Sequence, residues 1–90
     1  MRPVAGTGKG QSERQRVLGS RIRDRRRERG VGQEAMALEA GLHRTYITSL
    51  ERGMRNPSVE TLCRVAVALR CDVSDLVSGL QDVPGRTGAP

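Results

Sequence analysis

Residues 33–52, QEAMALEAGLHRTYITSLER, decide the fold of this 90-residue chain. Apolar residues recur three and four positions apart on both sides of Gly41, which predicts two short helices joined by a sharp turn. Glycine accepts the positive φ that such a turn requires, and Ala37 is small enough to let the helices cross closely. The residues expected to pack between them are Met36, Ala37, Ala40, Leu42, Ile47 and Leu50. We therefore expect a tightly packed helical pair.

The same helical spacing continues on both sides of this pair, and no stretch alternates as a strand does. Ser12 followed by Gln15 predicts a capping box, and Gly30 predicts the end of the helix that it starts. We expect an all-α domain between two flexible tails. The predicted helices cover residues 13–29, 33–40 and 44–52, with a fourth after Ser58 and a fifth after Ser74; the domain covers 13–80 and the tails 1–12 and 81–90.

Positive charge is concentrated in the first part of the chain. The sequence has 16 basic and 10 acidic residues, and residues 1–55 hold 13 of the basic and six of the acidic ones. A localised basic surface is typical of proteins that bind nucleic acid or an acidic membrane. A bias of 15 arginines to one lysine can also follow from a GC-rich coding sequence, so charge alone does not decide the partner.

Length and composition argue against several classes of protein. The longest apolar run has five residues, whereas about 20 are needed to cross a bilayer, and the N-terminus has no secretory pattern. Tyr46 is the single aromatic residue, so stacking on single-stranded bases is excluded. The acidic residues are dispersed singly rather than paired as in a catalytic site. We expect a soluble cytoplasmic protein that is not an enzyme and needs no metal, cofactor, membrane or small-molecule ligand.

The glycine-centred pattern of residues 33–52 is that of a DNA-binding helix-turn-helix, although a helical hairpin packed for its own sake is the alternative. Residues 41–77, GLHRTYITSLERGMRNPSVETLCRVAVALRCDVSDLV, with QEAMALEA before them, resemble the Cro and phage-repressor type family, called XRE-type regulators. The resemblance covers residues 18–80. It implies a compact five-helix, lambda-repressor-like domain that binds double-stranded DNA operators and is nucleoid-associated when bound. Residues 41–47 further resemble the controller proteins of restriction-modification systems.

The resemblance also assigns the DNA contacts. Arg44, Thr45 and Ser49 would read base edges from a recognition helix over residues 44–52, since arginine bonds guanine with two donors and threonine offers a hydroxyl and a methyl. A phosphate-only contact by Arg44, packing by Tyr46 and helix capping by Arg52 are the alternatives. The residues expected to bind phosphate are Gln33, His43, Tyr46, Arg52, Arg55 and Asn56.

In the same family, an arginine of helix one pairs with the glutamate after the recognition helix, and Arg26 and Glu51 occupy those positions. This pair would fix the orientation of the recognition helix rather than bind DNA. Arg25 stands where many relatives have leucine. Arg21, Arg23, Arg27 and Arg29 are interpreted as a solvated face, with direct DNA contact as the alternative. Cys63 and Cys71 are interpreted as small buried hydrophobic residues, with no ligand spacing for zinc.

A homodimer on an inverted repeat is expected, since two recognition helices about 34 Å apart reach successive major grooves. The candidate dimer interface is an apolar row on helix five, although the same row can simply close its own core. The alternative function is an antitoxin that binds a toxin and represses its own operon. The residues of the candidate dimer interface are Val73, Leu76, Val77 and Leu80.

Overall fold

The computed structural model describes residues 12–84, which form five α-helices and one turn of 3-10 helix and, within that range, no strand. The all-α prediction is confirmed. Residues 1–11 of the predicted N-terminal tail and 85–90 of the C-terminal tail lie outside the described residues. The elements are α1 (Glu13–Arg29), α2 (Gln33–Ala40), α3 (Arg44–Glu51), α4 (Val59–Leu69), α5 (Val73–Val77) and the 3-10 helix Leu80–Asp82.

The helix ends follow the local chemistry of the sequence. The backbone N–H of Gln15 donates to the Ser12 hydroxyl at 3.1 Å and the N–H of Ser12 donates to the Gln15 side chain at 2.9 Å, so the predicted capping box is present. Gly41 ends α2 with φ of 70°, as the inter-helix turn requires. The prediction for α5 was wrong: its N-cap is Asp72 rather than Ser74, because the Asp75 side chain accepts from the Asp72 N–H.

Helix α3 packs between α1 and α2, and α2 also packs against α4. Ile22, Met36, Ile47 and Val65 come from these four helices and are fully buried, each stabilising the fold by about 1.5–3 kcal/mol relative to full exposure. Leu76 brings α5 into the same core. The described residues contain no helix that is long and apolar enough to span a membrane.

Helices α1 and α3 cross at Gly19, where their backbones nearly touch. A Cβ at this position would lie 2.7 Å from the carbonyl oxygen of Glu51 and would also meet that of Leu50. Such contacts leave no room for a side chain, so the glycine is required by close approach. The crossing brings α1 beside the C-terminal end of α3.

Arginines of α1 also hold the end of the described chain. Arg14 donates through Nε to the carbonyls of Leu80 at 3.0 Å and Val83 at 2.9 Å, and through Nη2 to that of Gln81 at 3.1 Å. Cations are stabilising near the unpaired carbonyl groups at the C-terminal ends of helices. Regular structure therefore runs to Asp82, past the domain boundary that the sequence placed at residue 80.

The prediction of a solvated arginine face was wrong for three of its four members. Arg21 donates to the carbonyls of Leu76 and Ser78 at 3.0 and 2.7 Å, and Arg29 donates to that of Ala68 at 2.6 Å. Arg23 is half-buried and Arg27 alone is exposed. A long arginine stem can cross apolar surface and still reach a carbonyl, which helical periodicity does not reveal.

The prediction of small buried cysteines was wrong for Cys63, whereas Cys71 packs against the core. Cys63 is exposed because it shares the outer side of α4 with Val59 and Val67, whereas the buried row of this helix is Val65, Ala66 and Leu69 with Ala68. Cys71 is half-buried. Burial raises the pKa of its thiol, with nearby Arg25 acting in the opposite direction.

Candidate nucleic-acid interface

The N-terminal turn of α3 presents free polar side chains to solvent. Arg44 and Thr45 are exposed, and neither side chain hydrogen-bonds within the described part of the chain. His43 precedes them as an exposed N-cap whose side chain does not bond the helix, in keeping with the weak capping preference of histidine. The three side chains stand together at a helix N-terminus, where partial positive charge favours an anion.

The opposite side of α3 fixes the helix in the domain. Ile47 and Leu50 are at most 1% exposed and lie in the core with the flanking helices. Leu42 packs against that core from the turn before the helix. The residues expected between the two helices are therefore the ones that hold α3, and its outer side remains available for a partner.

An ion pair beneath α3 ties it to α1. Arg26 donates to both carboxylate oxygens of Glu51, from Nε at 2.6 Å and from Nη2 at 3.0 Å, and the two side chains are only 11% and 3% exposed. Arg26 also donates from Nη1 to the carbonyl of Val31 at 3.0 Å. The hydrogen bonds to Glu51 raise the pKa of Arg26 despite its desolvation. The structure thus brings together the two residues expected to orient α3.

Gln33 extends this network to the start of α2. Its Nε2 donates to Glu51 Oε1 at 3.1 Å, and its carbonyl oxygen accepts from the Thr48 hydroxyl at 2.9 Å. The amide therefore has a fixed orientation, with one N–H left for a phosphate. Sequence reasoning missed Thr48. Its position, three residues before Glu51 on the side of α3 that meets α2, was the available signal.

Ser49, Tyr46 and Arg55 form a second group beside the exposed face. The Ser49 hydroxyl donates to the Tyr46 carbonyl at 3.0 Å and accepts from Arg55 Nε at the same distance. The Arg55 guanidinium also lies 5.2 Å from the centre of the half-buried Tyr46 ring, in cation–π range. To contact a base, the Ser49 hydroxyl would have to give up its bond to Tyr46 or to Arg55. The Tyr46 side chain also packs against the core.

Unbalanced positive charge is the main electrostatic property of this face. Glu51 is the only acidic residue between positions 40 and 59, and it is buried against Arg26. Arg44, Arg52 and Arg55 are all exposed, as is Asn56. Arg52 also serves as the C-cap residue of α3. Because no exposed carboxylate opposes these arginines along this segment, the face favours a polyanion.

The candidate dimer interface on α5 needs a correction. Leu76 is fully buried in the core of its own domain, so the prediction that it contacts a second copy was wrong. The α5 helix has five residues, and Leu76 closes the core against α1 and α4. Val73, Val77 and Leu80 are half-buried and pack on the same core. Their contact with another copy stays a prediction.

The described residues contain no group of three or more histidine, cysteine or acidic side chains placed to hold a metal ion. The exposed charged side chains on α3 and the segment after it are cations, and Glu51 is buried against Arg26. The chemistry that this arrangement offers is recognition of negative charge and of hydrogen-bond acceptors.

Comparison with known proteins agrees with this arrangement. A family model described as Helix-turn-helix matches residues 22–76. The uncharacterized HTH-type transcriptional regulator y4dJ of Sinorhizobium fredii is 39% identical over 69 residues, which cover 77% of this chain and 90% of that protein. The restriction-modification controller protein C.AhdI from Aeromonas hydrophila is 36% identical, with a TM-score of 0.67 over 68% of this chain and 92% of its own. The P22 c2 repressor protein, solved with a synthetic operator, is 32% identical, with a TM-score of 0.66 over 70% and 96% of the two chains.

The chain belongs to the helix-turn-helix family, of the XRE type, because the family model matches more than half of it. The resemblance inferred from residues 41–77 is confirmed, and so is its lambda-repressor-like fold. Members of this family are DNA-binding transcriptional regulators. The relatives compared above are regulators, controllers and repressors rather than enzymes.

Proposed function

We propose that this protein regulates transcription by binding an inverted-repeat operator in double-stranded DNA as a homodimer. The observation that carries the proposal is the unpartnered pair Arg44 and Thr45 at the start of a helix whose other side is buried. A helix held in this way can enter the major groove with its N-terminal residues against base edges. Arg44 would contact guanine and Thr45 would contact thymine or a neighbouring acceptor.

The phosphate contacts surround the recognition helix α3 on both sides. His43 and the free N–H of Gln33 lie at the N-terminal ends of α3 and α2, where backbone N–H groups also point outward. Arg52, Arg55 and Asn56 follow α3. Their contacts would set the position of the helix on the duplex, whereas Arg44 and Thr45 would set the sequence.

A dimer follows from the size of the recognition surface. One eight-residue helix with two free reading residues specifies only a few base pairs. Two copies related by two-fold symmetry, with α3 helices about 34 Å apart, would read two half-sites one helical turn apart. The relatives that are controllers and repressors support a role in transcription, and the operator bound to the P22 c2 repressor supports duplex DNA as the ligand.

The test compares two arginines with different expected roles. The operator is first selected by the unmodified protein from a pool of random duplexes. Arg44→Ala should then lose about 1–3 kcal/mol of discrimination at one base position, whereas Arg55→Ala should weaken binding to all duplexes and lower the slope of the salt dependence by about one. Arg27→Ala removes an equal charge from the exposed side of α1 and serves as the control.

Equal affinity of the unmodified protein for the selected and a scrambled duplex, at moderate salt, would contradict sequence-specific regulation. If Arg27→Ala lost as much discrimination between base pairs as Arg44→Ala, the assignment of α3 as the recognition helix would be contradicted. Both results come from the same titration series, which is measured at several salt concentrations because phosphate contacts dominate affinity at low salt.

A further inference from the structure

An apolar row runs along the outer side of α4. Val59 and Val67 are each 75% exposed, and exposed Cys63 lies midway between them. The three residues are four positions apart, so their side chains form one continuous ridge on the helix surface. No other helix in the described range exposes two large hydrophobic side chains in one such row.

We propose that this row, the α4 ridge, is where two copies of the chain meet, with the two-fold axis passing beside Cys63. The inference rests on the proposed homodimer and specifies its contact surface. Rows of side chains four residues apart pack into the matching grooves of a second helix at a crossing angle of about −50°. In a two-fold contact the same patch serves both copies, so a ridge centred on Cys63 is complementary to itself.

Charge beside the ridge favours a second copy over another partner. Glu60 and Arg64 lie on the same side of the row, 3.3 Å apart within one chain and 76% and 50% exposed. With the axis at Cys63, Glu60 lies three residues before the axis in its own helix. The second helix runs in the opposite direction, so its Arg64, one residue after Cys63, lies on the same side of the axis as Glu60 of the first copy. At 1.5 Å per residue, the two are offset by about 3 Å along the helix. Each acid therefore meets a base, twice per dimer.

The extent of the ridge predicts a reversible dimer. A stable interface covers about 800 Å² on each partner, more than three small side chains and their charged neighbours supply. The dimer should therefore form at micromolar concentration and gain stability when both copies bind one operator. This behaviour makes the concentration of the protein the variable that sets operator occupancy.

The first test uses the native thiol at the centre of the ridge. The chain has two cysteines, so Cys71→Ser leaves Cys63 as its single thiol. Diamide, which takes two electrons and two protons as two thiols form a disulfide, should link most of this variant into a covalent dimer at tens of micromolar. Cys63→Ser, which retains Cys71, should remain monomeric on a non-reducing gel. A linked dimer through Cys71 alone would overturn the proposal, because that result centres the contact on the start of α5.

The second test measures the dimer by sedimentation. Val67→Glu should raise the dimer dissociation constant at least about tenfold, since two carboxylates enter the contact. Leu38→Glu, which also replaces an exposed apolar residue by a carboxylate but on α2, should leave the constant unaltered. Glu60→Arg and Arg64→Glu should each weaken the dimer, and the double variant should restore it. Failure of the double variant to recover, or an unaltered Val67→Glu dimer, would overturn the α4 ridge. An unmodified protein that is monomeric with and without operator would instead contradict the proposed dimer itself.

Discussion

Among the ionic contacts described, the buried pair Arg26 and Glu51 is the one whose disruption should destabilise the fold most. Its two hydrogen bonds and the 3% exposure of its carboxylate contrast with the pairs on α1 and α4, whose side chains are 49–76% exposed. Exposed pairs contribute about 0–1 kcal/mol, whereas removal of one partner from a buried pair leaves an uncompensated charge. The position of α3, and with it Arg44, therefore depends on α1.

Arg26→Ala should lower the free energy of unfolding by about 3–5 kcal/mol, because Glu51 would keep only its bond from Gln33. A domain of this size has about 4–11 kcal/mol in total, so a large part of the stability would be lost. Urea denaturation followed by circular dichroism measures the change. Arg64→Ala, which breaks an exposed pair on α4, is the matched control when measured below the concentration at which the proposed dimer forms, and it should change stability by less than about 1 kcal/mol. Equal losses in the two variants would contradict the assignment.

Individual side chains show which contacts could be predicted from the sequence. The pairing of Arg26 with Glu51 was available only through family resemblance, because 25 positions separate them. Arg21 and Arg29 were misassigned for the same reason: their carbonyl partners lie 39 to 57 positions away, and nothing in local spacing marks them. Capping by Ser12 and Ser58 was predictable, since each partner is three residues along the chain.

The crossing of α1 over α3 is the packing contact that decides the position of the recognition helix. It depends on a residue with no side chain, Gly19, in the middle of a helix, where glycine ordinarily costs about 1 kcal/mol relative to alanine. The sequence predicted both helices within one residue at their ends, but the crossing point depends on how two distant backbones meet. The prediction that Cys63 is buried was wrong for a different reason: Cys63 lies four residues from both Val59 and Val67, so helical spacing places it on their exposed side and outside the buried row.

Gly19→Ala should destabilise the fold despite its better helix propensity. The added methyl would meet two backbone carbonyl oxygens of α3, which cannot rotate away, so about 1–3 kcal/mol of overpacking should outweigh the propensity gain. Operator affinity should also fall, because α3 must shift. Gly32→Ala meets nothing within 4 Å and should cost only its weaker cap, about 0.5 kcal/mol. A more stable Gly19→Ala would show that the two helices are not held this closely.

The charge of the whole molecule is less available to DNA than its composition indicates. The chain has a formal net charge of +6, yet several of its arginines are committed to the fold. Arg14, Arg21 and Arg29 bind backbone carbonyls near the C-terminal ends of helices, and Arg26 neutralises Glu51. Within the described residues, Arg44, Arg52 and Arg55 are exposed on α3 and the segment after it, where no exposed carboxylate opposes them. The fold therefore determines where the exposed positive charge lies, whereas the composition determines only how much charge there is.

Arg14 connects the first helix of the domain to the last described turn, and this connection can be measured directly. Arg14→Ala should speed hydrogen exchange at the amides of Asp82 and Val83, whose own bonds to Gly79 and Leu80 would lose the support of the guanidinium. Exchange in α2 and α3 should remain unchanged, because no contact of Arg14 reaches them. Arg27→Ala, an equal loss of charge on α1, is the control. If the two amides exchange at the same rate in both variants, the last turn is held by its apolar contacts rather than by Arg14.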